Sequence, residues 1–307
     1  MKAFIAGGGG FVGKNLTNEL IDAGYDVTIV GRSAVANLAD TARINCISAD
    51  TTQPGPWQEE VLSADVIINL TGQSIFHLWT KKYKKSIYDS RILTTRNIVD
   101  AMSKDRAVTF LSTSAVGFYG ERGDDILTEA EPNGSDFLAE VCRDWEAEAL
   151  KAEDKGVRTI IMRFGVVFGD NGGALGIMLL PYRFLMGGPM GSGNQWFSWI
   201  HIDDLNAAFM YAIENKKAQG IFNLCAPIPI RNVDMAQLMG SVLKRPSFMK
   251  VPGFALKIVL GEYGATLLNS QRALPDNFQK LGFQFNYPNF KQAIEAILMG
   301  RQSSFQA

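Results

Sequence analysis

An α/β fold built on a doubly wound parallel sheet is predicted by three features of this sequence. Short apolar runs recur through the first 225 residues, and most are separated by segments with helical spacing. The runs are continuous rather than alternating, as in strands covered on both faces. The first of them, Lys2-Ala3-Phe4-Ile5-Ala6, leads into four consecutive glycines and then a stretch with Val12, Leu16, Leu20 and Ile21 on one helical face. Strand, glycine turn and helix in that order are the context a dinucleotide-binding fingerprint requires.

The elements follow in chain order. Strands are expected at 2–6, 26–30 (DVTIV), 44–48 (INCIS), 65–70 (DVIINL), 108–112 (VTFLS) and 158–164 (RTIIMRF). Helices are expected over Ser86 to Met102 and Asp136 to Ala152, with Lys81 to Lys85 a solvated loop or a helix start. From about Asn171 the alternation fails, and the chain becomes rich in glycine, methionine and aromatic residues. A helix at Asp203 to Asn215 and a strand at Gly220 to Leu224 then rejoin the sheet. Beyond Ala226 the chain reads as a smaller, mostly helical cap across the carboxyl edge. The expected division is a Rossmann-type NADP-binding domain at 1–170, completed by 200–225, and a substrate or cap domain at 171–199 and 226–307.

Bulk properties narrow the function. A net charge of −1 and a pI near 6.2 give no support for nucleic acid or an anionic membrane surface as partner. The chain opens on its first strand, which leaves no room for a targeting peptide, so a cytoplasmic location is expected. Three scattered cysteines and two histidines do not make a metal site. A small molecule is the expected substrate.

Gly7, Gly10 and Gly13 stand at G-x-x-G-x-x-G spacing. Such glycines serve a tight turn, close passage of a pyrophosphate, and close packing of helix on strand. The helix start at Phe11 and Val12 offers unpaired N–H groups and a positive dipole end to phosphate. The end of the second strand sets cofactor type. NAD sites place a carboxylate there for the ribose hydroxyls, and NADP sites an arginine for the 2′-phosphate. Here Gly31 is followed by Arg32, a planar donor fork with no carboxylate beside it, and NADP(H) is expected.

The motifs AFIAGGGGFVG, INLTG, LSTSAVGFYG, RFGVVFG and WIHIDDL together resemble the extended short-chain dehydrogenases/reductases. More narrowly, GGALGIMLLPYRFLMGGPMGSGNQWFSWIHIDDL and LLNSQRALPDNFQKLGFQFNYP resemble the YfcH-like "epimerase family protein" group (SDR39U type), which carries a DUF1731 C-terminal segment. The likeness spans nearly the whole chain. It implies cofactor contacts from Leu70, Thr71, Gly72 and Ser112, and from Arg91 in the Asp89-Ser90-Arg91 element. It also implies a catalytic serine, matched by Ser114, and a Tyr-x-x-x-Lys pair on the helix before the sixth strand.

That pair is missing. Gly134 through Leu150 contains neither Tyr nor Lys, and the string at Tyr287 to Lys291 is interrupted by Pro288. Ser114 and Tyr119, beyond the fifth strand, are the candidate proton donors that remain, and His201 reads as structural. No arginine precedes His201 where relatives hold a nucleotide-sugar phosphate. Trp196 and Trp199, with Met186 and Met190, are expected to wall a substrate pocket. Two readings stay open: an NADP(H)-dependent oxidoreductase or epimerase of a small molecule, and a non-catalytic NADPH sensor or interaction module.

Overall fold

The computed structural model describes residues 1–32, 42–104, 106–170 and 172–304. Seven parallel strands form the central sheet: β1 (Lys2–Ala6), β2 (Asp26–Gly31), β3 (Ile44–Ser48), β4 (Val66–Asn69), β5 (Thr109–Ala115), β6 (Arg158–Phe164) and β7 (Gly220–Leu224). Their order across the sheet is β7-β6-β5-β4-β1-β2-β3. Strand order thus reverses beside β1. Ala6 pairs with Val30 of β2 on one side and Asn69 of β4 on the other, so the three carboxyl ends lie level around a crevice.

Ten helices surround the sheet: α1 (Phe11–Asp22), α2 (Gln58–Ser63), α3 (Lys81–Ala101), α4 (Phe137–Leu150), α5 (Leu175–Arg183), α6 (Ile202–Glu214), α7 (Asn232–Leu243), α8 (Gly253–Thr266), α9 (Asp276–Lys280) and α10 (Phe290–Ser304) among the described residues. Neighbouring strand residues point to opposite faces and build two cores. Ile5, Ile29 and Ile68 meet Leu16 and Leu20 of α1 and Phe209 of α6. Phe4, Val30 and Ile67 meet Val61 of α2, Ile98 of α3 and Ala149 of α4. Each such buried Ile, Leu, Val or Phe side chain contributes about 1.5–3 kcal/mol.

Two elements run longer than the sequence pattern suggests. The helix α3 begins at Lys81 rather than Ser86, because Thr80 Oγ1 accepts the Tyr83 N–H at 3.1 Å and caps it. The strand β5 continues through Ser112-Thr113-Ser114 to Ala115, each residue paired with β6 as far as Phe164. Asn171, the expected boundary, lies outside the described residues.

A third core joins Leu175 and Leu179 of α5, Met235 and Met239 of α7, and Phe290 and Ile294 of α10 around Trp199. Trp199 is fully buried, edge-on to Phe290 with centroids 5.2 Å apart, and its Nε1 donates to Ile228 O. It belongs to the core, which corrects the expectation that it walls a pocket. Trp196 instead lies between the Arg231 and Arg272 guanidinium groups and donates to Asp124. Beyond 226 the chain does not stay in one place. Phe278 and Phe283 enter the core of the main sheet, with Phe278 4.8 Å from Phe222 of β7. Asp204, at the start of α6, accepts the N–H groups of Asn286 and Tyr287.

Candidate functional site: a glycine-walled cleft at the switch point

A cleft of about 630 Å³ opens at the carboxyl ends of β1, β2 and β4. Its floor is the glycine loop, and the three glycines differ in what they do. Gly7 turns the chain at φ +80°, in the left-handed region, against the backbone of Leu70. At Gly10 a Cβ would meet only Gly7 O, at 3.4 Å, so this position faces open cleft. At Gly13 a Cβ would come within 2.5 Å of Gly8 Cα, so the helix rests directly on the loop. No side chain caps α1 at Gly10. The first N–H groups of α1 are therefore left for a ligand. Lys14, in the first turn, adds a cation to the wall.

Gly31 and Arg32 line one end of the cleft. Arg32 Nη2 donates to Gln73 Oε1 at 3.1 Å, leaving its other donors for an anion. Gln73 Nε2 donates in turn to the Tyr83 hydroxyl. Asp50 and Thr52, just after β3, complete this end. Leu70, Thr71 and Gly72 form the opposite wall. The buried hydroxyls Thr71 Oγ1 and Ser112 Oγ have no hydrogen-bond partner. Beyond Gln73, Phe76 and Trp79 pack with Phe137 and Tyr263 into an aromatic wall.

Five expected cofactor residues lie behind this surface: Gly13 under the loop, the buried Ser112, and Phe11, Val12 and Arg91. Phe11 packs on the loop that follows β6, where a Cβ on Gly172 would meet its ring at 2.1 Å. It faces a second cleft of about 650 Å³ shared with His201 and Tyr287. Val12 packs against the sheet core. Arg91 backs Gly72, where a Cβ would lie 2.9 Å from its Cζ, and donates to Gln73 O and Ile87 O. Its guanidinium sits 5.2 Å over the Trp145 ring, and burial lowers its pKa.

The two candidate proton donors are buried in a polar network. Ser114 Oγ donates to Glu146 Oε1 at 2.6 Å. Glu146 holds Arg163 through two parallel bonds of 2.8 Å. Arg163 Nη1 donates to the Tyr119 hydroxyl at 2.9 Å, and that hydroxyl lies 2.7 Å from Asn223 Oδ1. Burial pushes the Tyr119 phenol up to about 12, against the pull of Arg163. Neither Ser114 nor Tyr119 lines the cleft. On α4, Leu138 faces Gly117, and Cys142 lies four residues on, beside Ser114. A Tyr-x-x-x-Lys pair would need such i, i+4 positions, and here they hold an apolar side chain and a buried thiol. His201 accepts the Asp203 N–H and caps α6. Tyr287 tilts over its ring at 3.9 Å, and Lys291 pairs with Glu295.

The network ends at Glu129, whose Oε1 accepts the N–H groups of Asn223 and Asn277 while Oε2 has no partner. Burial holds this carboxyl above its ordinary value, and the two N–H groups only partly offset that. A carboxyl with a higher pKa folded than unfolded stabilises most in acid. The contribution is lost as pH rises from the unfolded value through the folded one. Glu129→Gln keeps the acceptor oxygen. It is expected to raise the urea midpoint at about pH 8 and to give no gain near pH 4, below the unfolded value. An equal gain at both pH values would show that ionisation is not the cause.

Sequence reasoning missed Lys14, Asp50, Thr52 and Gln73 as cleft residues. Lys14 had a readable signal, a cation in the first turn behind the glycine loop. The others lie on irregular segments that only the fold brings together. Among the described residues no cluster of His, Cys, Asp or Glu is placed to hold a metal, and no helix is long and apolar enough to cross a membrane.

Comparison with known proteins adds the following. The profile of the NAD dependent epimerase/dehydratase family matches residues 3–225, and that of DUF1731, a domain of unknown function, matches 251–297. The chain is 38% identical over 302 residues to "Epimerase family protein SDR39U1 homolog, chloroplastic" of Arabidopsis thaliana, covering 97% of this chain and 87% of that protein. It is 37% identical to "Epimerase family protein YfhF" of Bacillus subtilis, covering 99% and 100%. The crystal structure of human epimerase family protein SDR39U1 (isoform2) with NADPH superposes with a TM-score of 0.84 at 31% identity, covering 97% of this chain and 99% of that one.

Proposed function

This chain belongs to the NAD-dependent epimerase/dehydratase family, and from that premise we propose that it binds NADP(H) and acts as an oxidoreductase or epimerase on a small molecule. The reading rests on one arrangement: a glycine-floored cleft with Arg32 at one end and the orphaned hydroxyl of Thr71 in its wall. A bound nicotinamide would supply or accept a hydride. Gly10, the α1 N-terminus and Lys14 would hold the pyrophosphate, with no side chain in its path. Arg32 would take the 2′-phosphate. Thr71 and Ser112 would gain the partners they lack. The human relative solved with NADPH supports the same cofactor.

A second reading has its own support. Leu138, Cys142 and the buried Ser114 and Tyr119 offer no evident proton donor at the cleft, as suits a protein that binds NADP(H) without turning it over. Incubation with NADPH deuterated at C4 and a panel of aldehydes, ketones and enones separates the two. Deuterium in any product supports the enzyme. Tight binding with no transfer across the panel supports the sensor.

The cofactor assignment has its own test. A charge-assisted hydrogen bond from Arg32 to a 2′-phosphate is worth about 1.5–3 kcal/mol. NADH lacks that phosphate, so the difference appears as roughly a 10- to 100-fold preference for NADPH. Calorimetry on Arg32→Ala is expected to show NADPH binding weakened by that factor and NADH binding unchanged. Wild-type protein that binds both cofactors equally would overturn the assignment.

A further inference from the structure

Exposed apolar side chains gather on α5, on the first turns of α8 and on the segments beside them, past the aromatic wall that Tyr263 of α8 helps to form. On α5, Ile177 and Leu180 share an exposed face that continues into Phe184, 65% exposed just past the helix end. On α8, Phe254, Lys257 and Ile258 share an outward face, with Ile258 78% exposed and Val259 beside it. The segment leading into α8 exposes Phe248 and Met249. Hydrogen bonds from Met249 N to Gly187 O and from Val251 N to Pro189 O join that segment to the turn after α5. The exposed residues of α5 and α8 thus flank two segments that are hydrogen-bonded to each other. Apolar exposure gathered in this way marks an interaction site.

The charges around this face are mostly positive: the one carboxylate on α8, Glu262, is paired with Lys84. Residues 171–202 and 235–261 contain no Asp or Glu, although the chain has 31 acidic residues in all. They carry Arg183, Lys244, Arg245, Lys250 and Lys257, all exposed. Among the described residues none of these five is within ion-pair distance of a carboxylate, whereas lysines elsewhere, such as Lys84 and Lys280, are paired. The whole-chain charge of −1 averages this asymmetry away. It is why composition alone gives no sign of a membrane partner.

We propose that the face formed by α5, the two turns and α8 docks on an anionic lipid bilayer, without spanning it. Phe248, Phe254 and Ile258 enter the boundary between headgroups and acyl chains, and the five cations pair with lipid phosphates. This chemistry fits better than a second copy of the chain. A symmetric contact through the same face would bring unpaired cations against one another in a drying interface.

Co-sedimentation of the full chain with vesicles tests this, with NADPH calorimetry reporting on the fold of each variant. Wild type is expected to pellet with phosphatidylcholine vesicles containing phosphatidylglycerol, less at high salt, and not with phosphatidylcholine alone. Phe254→Glu with Ile258→Glu is expected to abolish pelleting while NADPH affinity is unchanged. Lys250→Ala and Lys257→Ala are each expected to weaken it roughly fivefold. Three results would overturn the proposal: no binding of wild type to anionic vesicles, equal binding to neutral ones, or a wild-type dimer that Ile258→Glu converts to monomers.

Discussion

Gly10→Val is expected to weaken NADPH binding by roughly 100-fold or more while the far-UV circular dichroism stays that of the wild type. A Cβ at Gly10 meets nothing in the protein except Gly7 O, at 3.4 Å, so the fold is expected to tolerate the substitution. It does fill the volume above the α1 N-terminus, where phosphate would otherwise take hydrogen bonds from backbone N–H groups. Two such bonds at about 1.5–3 kcal/mol each account for an effect of this size. Gly13→Val is the contrasting variant. Its Cβ would collide with Gly8 Cα, and loss of binding there is expected to come with a lower melting temperature. Fluorescence titration and thermal melts on both proteins distinguish the cases. Unchanged affinity in Gly10→Val would remove the glycine loop from the binding site.

The second large effect is expected in the buried ion pair. Arg163 and Glu146 are 2% and 5% exposed, and their two-bond contact has no solvent to replace either partner. Glu146→Ala leaves a buried guanidinium, and Arg163→Met leaves a buried carboxylate. Each is expected to cost about 3–5 kcal/mol by urea unfolding. The double variant Glu146→Leu with Arg163→Met is expected to recover most of that loss, because both charges leave the core together. Single variants within about 1 kcal/mol of wild type would mean that water reaches the pair. The same measurements bear on Ser114, whose hydroxyl is held by Glu146. A serine fixed in this way contributes to stability whether or not it ever meets a substrate.

The sheet was legible because its strands are buried on both faces and read as unbroken apolar runs. The glycine loop was legible because its flanks fix what the glycines are for. Legibility failed where polar residues carry structure. Lys81 to Lys85 has no apolar spacing, yet Thr80 caps it into α3. Ser112-Thr113-Ser114 looks like a strand's end, yet Ser112 pairs with Asn69 on one side and Ile161 on the other, and the strand runs on beside β6 to Ala115. Glu146 did leave a trace: it continues the stripe of Leu138 and Cys142 on α4, where a carboxylate has to find a buried cation. Arg163, charged within an apolar strand, was its readable complement. The placement of Trp199 was not readable. Its surroundings come from α5 and also from α7 and α10, far along the chain.

Because Phe278 and Phe283 lie in the core of the main sheet, the order of synthesis matters to this protein. All seven strands have left the ribosome once Leu224 has emerged. At that moment the outer face of β7 still lacks the phenylalanines that cover Phe222, and Asp204 has nothing to accept from. The nascent sheet therefore carries an open apolar seam until the DUF1731 segment arrives, which is when a chaperone or a neighbouring nascent chain could occupy it. The C-terminal segment is in this sense a late-arriving part of the first domain, and a boundary drawn at residue 225 would cut through a core.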